Sequence, residues 1–462
     1  MREGYIGTED CGAPGRLGGE GDSRRMFAST MGRVLLLTAD PTITTSVGTG
    51  QPDDAGDGGP ARATRLYRPS GVAVGSDGSI GSGDTRNLGC DGSPSQADLD
   101  TIGTLGARNH PWMDSTTMTT NFEPLTLETK VPPFEPHPWL RNGHAQTIAG
   151  RYLPGPRIRL DATEHEIEAD KGDRLVALES VPRGWRAGGP AAVLVHGLAG
   201  CARSPYVVRL AARLVRLGVR TVRMNLRGAG TGFGRARGTY HAGKTKDLRR
   251  VVEWLARRLP GASIALVGFS LGGNLVLKLA AEAATDPLEG LDSVLAANPP
   301  IDLAACSRQL RRPANRIYDR NFVRWLRADV ARRHAAFPDL GPADLTQVST
   351  LFDFDDLYVA PRHGFAGAAD YYARSGAAPL IPRIAVPGLV VHAEDDPFVP
   401  ADPFRHADFP TGLALELIPS GGHLGYLSRT PWEGDRRWLD SRLAAWLASR
   451  WGSTPAVPAS IS

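Results

Sequence analysis

The sequence predicts an α/β protein: a mostly parallel, doubly wound sheet with a helical insertion over one end. Three observations carry this. Short, fully apolar runs such as Ala191–Val195, Ile264–Phe269 and Gly388–Val391 alternate with stretches of helical periodicity, and a strand with no polar side is one buried on both faces. The run at 264–269 passes directly into Gly268-Phe269-Ser270-Leu271-Gly272, and a helical pattern (Leu275, Val276, Leu279, Ala280) follows at once. Residues 301–375 interrupt the strand–helix rhythm with arginine-rich helical sequence and aromatics, where a cap over the site would be inserted.

The elements follow in order along the 462 residues. Residues 1–112 are dominated by Gly, Ser, Thr and Asp, with few large apolar side chains. Such a segment buries too little surface to offset its ordering entropy, so an extension largely without stable structure is expected. Within it, Ile43–Gly50, Gly56–Ala61, Leu66–Val74 and Asp84–Asn87 resemble one NHL-type β-propeller repeat over residues 42–88. The strand that should precede Asp84 reads Ser79-Ile80-Gly81-Ser82-Gly83 where the family has a hydrophobic one, and a propeller needs several blades. The repeat reads as a remnant, with Met113 or Met118 as an alternative start.

A single domain is expected over residues 120–452. Glu164–Asp170 and Arg174–Glu179, joined by Lys171-Gly172-Asp173, read as a hairpin. Ala191–His196 is the first fully buried strand. Ser204-Pro205 then opens a helix with an N-cap and a proline at its first position; Leu210, Ala211, Leu214 and Leu217 form its stripe and Gly218 ends it. Val219–Met224 is the next strand, Leu248, Val251, Val252 and Leu255 mark the next helix, and the strand feeding Ser270 follows. Ser293–Ala297, Gly388–His392 and Leu413–Ile418 complete the set. In such sheets ligands bind at the carboxyl ends of the strands.

Composition narrows the function classes. The net charge of +4 is small for this length, and Arg exceeds Lys without forming a basic run or an aromatic-interleaved basic face, which argues against a nucleic-acid surface. The four cysteines (Cys11, Cys90, Cys201, Cys306) show neither CxxC nor Cys/His spacing, so thiols in a reducing compartment are expected and no metal site is implied. No apolar run approaches a bilayer's thickness, and the apolar segment after Arg24-Arg25 is too short for a signal sequence. A cytoplasmic protein without a stable membrane span is expected, with transient lipid contact allowed and the oligomeric state open.

The chemistry concentrates on Ser270. A serine on a sharp strand-to-helix turn needs small residues two before and two after it, and the helix behind it favours developing negative charge. Its hydroxyl needs a base, and the base needs an orienting carboxylate. The last two strands end in suitable groups: Glu394-Asp395-Asp396-Pro397 after one, Gly421-Gly422-His423 after the other. Ser270, Asp396, His423 is the chain order of α/β-hydrolases. Asp396 is the preferred acid, Asp395 its competitor and Glu394 a third choice. Backbone N–H groups of Leu271 and of Leu198, in His196-Gly197-Leu198-Ala199-Gly200, are the expected oxyanion donors, with the glycines letting that loop curl. His196 is read as supporting the loop, Cys201 as a packed bystander, and the remaining histidines as structural or solvated. No cofactor is required.

Residues 132–450 resemble the YheT-like branch of α/β-hydrolases. The resemblance rests on Trp139–Thr147, His196-Gly197-Leu198, Asn225–Gly228, Tyr240–Leu248 and the serine turn. It also rests on Phe352-Asp353-Phe354-Asp355-Asp356, Gly364-Phe365, Asp370-Tyr371-Tyr372 and Asp395-Asp396-Pro397. Cys201 and Ala242 depart from the usual pattern. The resemblance implies the α/β-hydrolase fold and hydrolysis of small-molecule carboxylic esters, of short- or medium-chain acyl groups or lipids, through an acyl-enzyme. An alcohol acyltransferase with the same residues and a non-catalytic binding protein are the alternatives. Pinning the first loop and the cap onto the sheet is the expected role of Asn142–Thr147 and the Phe-Asp-Phe-Asp segment.

Overall fold

The computed structural model of the protein describes residues 131–452, apart from 154, 156, 157 and 433. Ahead of them it describes six short strands, Leu17–Gly18, Arg25–Thr30, Arg33–Thr38, Ile43–Val47, Pro69–Val74 and Ile80–Asp84. The first four pair in order as an antiparallel sheet, and the last two form a separate hairpin. Of residues 42–88, the described ones place one strand in the first sheet and two in the hairpin, and the rest of the expected repeat lies outside the described residues. The rest of residues 1–112, including the expected lack of stable structure there, lies outside the described residues.

The main sheet contains β1 (Thr163–Glu168), β2 (Arg174–Ser180), β3 (Ala191–Val195), β4 (Arg220–Met224), β5 (Ile264–Phe269), β6 (Leu291–Ala297), β7 (Gly388–Ala393) and β8 (Leu413–Ile418). Their order is β8-β7-β6-β5-β3-β4-β2-β1. β3 to β8 pair in parallel, while β2 runs antiparallel to both of its neighbours. The strands expected from the apolar runs are all present. Their order is not readable from those runs, because β3, β5 and β7 are apolar on both faces and so carry no pairing preference.

Side chains alternate between two cores. Ala192, Leu194, Ala265, Val267, Leu389 and Val391 pack on one face with Leu210 and Leu214 of α2 (Pro205–Arg216) and Leu443 and Leu447 of α8 (Trp438–Trp451). Val193, Val195, Leu266 and Val390 face the other way, toward α3 (Thr245–Arg258) and α4 (Leu271–Glu282). α1 (Gly143–Tyr152) precedes the sheet. Between β6 and β7 the chain forms α5 (Leu303–Leu310), α6 (Arg316–Ala336), a π-turn at Asp355–Val359 and α7 (Ala368–Ser375). Among the described residues, no helix is long and apolar enough to cross a membrane.

One helix start differs in detail from expectation. Ser204 holds the N-cap position of α2 without capping it through its side chain. Its hydroxyl instead accepts from the Cys201 N–H at 3.0 Å, closing the loop that precedes the helix. Gly218, at φ +80°, ends α2 as the sequence predicts.

Candidate active site

Ser270 lies between β5 and α4 at φ 50°, ψ −124°, a conformation that costs a non-glycine residue of order 1–3 kcal/mol and persists only where the surroundings impose it. They do so by crowding. A Cβ at Gly268 would lie 2.2 Å from the Gly272 carbonyl oxygen, and one at Gly272 would lie 2.4 Å from that of Val195. Both flanking glycines are therefore required by close approach, and the turn lifts Ser270 from the end of a central strand.

His423 Nε2 is 2.9 Å from Ser270 Oγ, and its Nδ1 is 2.7 Å from Asp396 Oδ2. Three loops that are far apart in sequence thus converge on one hydrogen-bonded row. Asp396 is almost wholly buried, and burial by itself would raise its pKa. The His423 ring, together with an N–H from Phe398 (2.7 Å), outweighs this and holds the carboxyl below its ordinary value. Val399 N–H (3.1 Å) and Asn298 Nδ2 (2.6 Å) also donate to it. Asn298, at the end of β6, is itself held by the Tyr426 hydroxyl. Sequence reasoning missed Asn298; an Asn at a strand end just before Pro299-Pro300 was the available signal.

Asp395 does not join this row. It accepts the Gly422 N–H at 2.8 Å, and burial followed by the neighbouring Asp396 charge raises its pKa. Glu394 pairs with Arg405 away from the row.

The His423 loop is held by α1. His423 N–H donates to Thr147 Oγ1 at 2.8 Å, and that hydroxyl donates to the Gly143 carbonyl at 2.6 Å. Gln146 Nε2 donates to the Leu427 carbonyl while its Oε1 accepts the Leu427 N–H, imitating a strand partner. Asn142 Oδ1 accepts the Ala145 N–H at the start of α1. The Asn142–Thr147 segment therefore pins the histidine loop.

The other wall is the His196–Gly200 loop. The amides either side of Leu198 are engaged: Gly197 N–H donates to the Tyr206 hydroxyl and Ala199 N–H to that of Tyr240, both at 3.0 Å. Those of Leu198 and Leu271 have no acceptor among the described residues, and both residues line the pocket beside Ser270 and His423. The curl has a different origin from the one expected. The left-handed residue is Ala199, at φ 55°; the glycines are needed for close approach, since a Cβ at Gly197 would lie 3.0 Å from Ser270 Cβ. His196 is fully buried, and burial lowers its pKa to about 4. Neutral, it lies 2.7 Å from the Gly197 carbonyl through Nδ1 and accepts the Leu226 N–H on Nε2. It braces the loop and does not touch Ser270.

The pocket above Ser270 is walled largely by apolar residues of the 301–375 segment, among them Leu303, Leu310, Leu326, Val330 and Phe354. The Phe-Asp-Phe-Asp segment folds this wall. Asp353 completes a capping box with Thr350 at the start of the short helix Leu351–Phe354, Asp356 accepts the Ala368 N–H, and Asp355 accepts the Tyr372 hydroxyl.

Comparison with known proteins agrees with this architecture. Residues 190–430 match the family model described as the alpha/beta hydrolase fold. The chain is 33% identical to the putative esterase YheT of Escherichia coli over 320 residues, 68% of this chain and 93% of that one. It is 30% identical to the mouse phospholipase ABHD3 over 52% of this chain and 58% of that one. It is 27% identical to the monoacylglycerol lipase of Saccharomyces cerevisiae over 56% and 59%, respectively.

Proposed function

The chain belongs to the α/β-hydrolase fold family, and from that premise we propose that it hydrolyses carboxylic esters through an acyl-enzyme on Ser270. The observation that carries the reading is the continuous row Asp396–His423–Ser270, with separations of 2.7 and 2.9 Å. Esterase and lipase relatives support ester substrates in general.

His423 Nε2 accepts the Ser270 proton as Oγ attacks the ester carbonyl carbon. Asp396 holds the proton on Nδ1, so that Nε2 is the basic nitrogen, and stabilises the imidazolium that forms. The amides of Leu198 and Leu271 receive the oxyanion; each such donor is worth roughly 10²–10³ in turnover. The tetrahedral adduct collapses, the alcohol leaves with the proton from His423, and the acyl group remains on Oγ. Water activated by His423 then repeats the sequence and releases the acid. The apolar wall from residues 301–375 is suited to the hydrocarbon part of a short- or medium-chain acyl ester.

A chain-length series of p-nitrophenyl esters with the purified protein tests the activity. Ser270→Ala should lower kcat by about 10⁴–10⁶ and abolish labelling by a fluorophosphonate. Retention of most of the esterase activity would end this reading. Ethyl ester formation when ethanol is added would instead indicate acyl transfer to an alcohol.

A further inference from the structure

Not all of the pocket wall suits a hydrocarbon. Ser307 on α5, Asp355 in the π-turn and Tyr372 on α7 all line it, and all three are more than nine-tenths buried. The Tyr372 hydroxyl donates to Asp355 Oδ2 at 2.7 Å. Ser307 Oγ is buried beside the Tyr372 hydroxyl and makes no hydrogen bond of good geometry among the described residues. Nor does any basic side chain form an ion pair with Asp355 among them. Burial pushes the Asp355 carboxyl up to about 7, so near neutrality it can either donate or accept a hydrogen bond.

A wall built only to receive an alkyl chain would have no use for these groups, because a buried hydroxyl with unused hydrogen-bonding capacity and a buried carboxyl with no cation beside it both oppose folding. Three elements of the insertion nevertheless bring them together, and the apolar Phe354, Leu303 and Leu310 line the same pocket. A ligand that supplies a hydrogen-bonding oxygen here would satisfy Ser307 on binding. An anion is disfavoured by Asp355.

We propose that Ser307 and Asp355 form a polar subsite that recognises an uncharged oxygen function, a hydroxyl or a carbonyl, carried along the chain of the ester substrate. The subsite selects oxygenated esters over plain alkyl esters of equal length. This rests on the ester-hydrolase reading and specifies its substrate class. Ser307 supplies a hydrogen bond to the oxygen function, and Asp355, positioned by Tyr372, supplies the second.

The test compares kcat/KM for matched pairs with the full-length protein. One arm uses p-nitrophenyl ω-hydroxyhexanoate against the hexanoate, and the other uses the mono-acetate of hexanediol against hexyl acetate. The first arm places the oxygen function on the acyl side and the second on the alcohol side. A preference of about tenfold for the hydroxylated member in one arm is expected, the size of one net hydrogen bond. It should fall toward parity in both Ser307→Ala and Asp355→Leu. The ratio is internal to each preparation, so a general loss of activity cancels; if Asp355→Leu does not fold, Ser307→Ala decides. A wild-type ratio of one or less in both arms, or a preference that survives Ser307→Ala, overturns the subsite alone. Absence of hydrolysis of every ester, with no fluorophosphonate labelling of Ser270, removes the underlying reading as well.

Discussion

The backbone N–H of His423 donates to Thr147 Oγ1 at 2.8 Å across 276 residues of chain. The first helix of the domain thus holds the loop that carries the candidate base. Gly422, at φ +58°, is fitted closely between them: a Cβ there would lie 2.2 Å from the Gly143 carbonyl oxygen and 2.7 Å from Thr147 Oγ1.

Thr147→Val removes that acceptor while keeping the shape. The His423 N–H would lose its partner and the loop would shift, and a displacement near 1 Å costs about 10²-fold in turnover. Steady-state kinetics should show kcat lowered and KM little changed, with Thr147→Ser close to wild type. Unchanged kcat in Thr147→Val would show that the loop does not depend on this contact.

The two adjacent carboxylates make opposite demands on an isosteric amide. Asp396→Asn puts an amide against His423 Nδ1 and favours the wrong imidazole tautomer, so kcat should fall by about 10⁴. Asp395→Asn retains an oxygen that can accept the Gly422 N–H, so its kcat should stay within about tenfold of wild type. The reverse order of effects would transfer the role to Asp395.

Gly143→Ala should both destabilise and inactivate. The added Cβ would lie 1.8 Å from the Asp395 carbonyl oxygen, which backbone movement alone can relieve. Thermal melting and esterase assays should therefore fall together, and a normal melting temperature with full activity would refute the crowding argument.

Asp355 predicts a pH-dependent stability. Its pKa is raised from 3.8 to about 7 by burial, so the folded state binds a proton that the unfolded chain has already released over that range. Its contribution is fully present below about pH 4 and is lost as pH rises through 7. Asp355→Asn should be nearly neutral at pH 4 and more stable than wild type above pH 7, by at most about 4 kcal/mol for a three-unit shift. Chemical denaturation at both pH values measures this; a stability difference independent of pH would contradict it.

Arg227 is buried between Asp173 and Asp247, with separations of 2.5 Å to each, and also meets Asp170. Arg227→Met would leave two buried carboxylates without their cation, a loss of about 3–5 kcal/mol. Since Leu226 next to it donates to His196, activity should fall with stability. Denaturant midpoints near wild type would show that the carboxylates find other partners.

Much of this was legible in the sequence, because the relevant constraints are local. Apolar runs with no polar side define β3, β5 and β7. Glycines at 268 and 272 are what a tight strand-to-helix turn around Ser270 requires, and group order along the chain suggested Asp396 and His423 as its partners. Contacts between distant segments left no such trace. Asn298 and Thr147 are ordinary polar residues in sequence; only the sheet order, with β6 beside β7, places Asn298 against Asp396, and only the packing of α1 places Thr147 under His423. The choice of Asp396 over Asp395 at the His423 ring is likewise tertiary. Two adjacent carboxylates differ in sequence by one position, and the turn after β7 points one at the imidazole and the other at the Gly422 amide. Local periodicity and backbone sterics set the elements and the serine turn. Long-range hydrogen bonds, which depend on how those elements pack, decided which side chains meet Ser270.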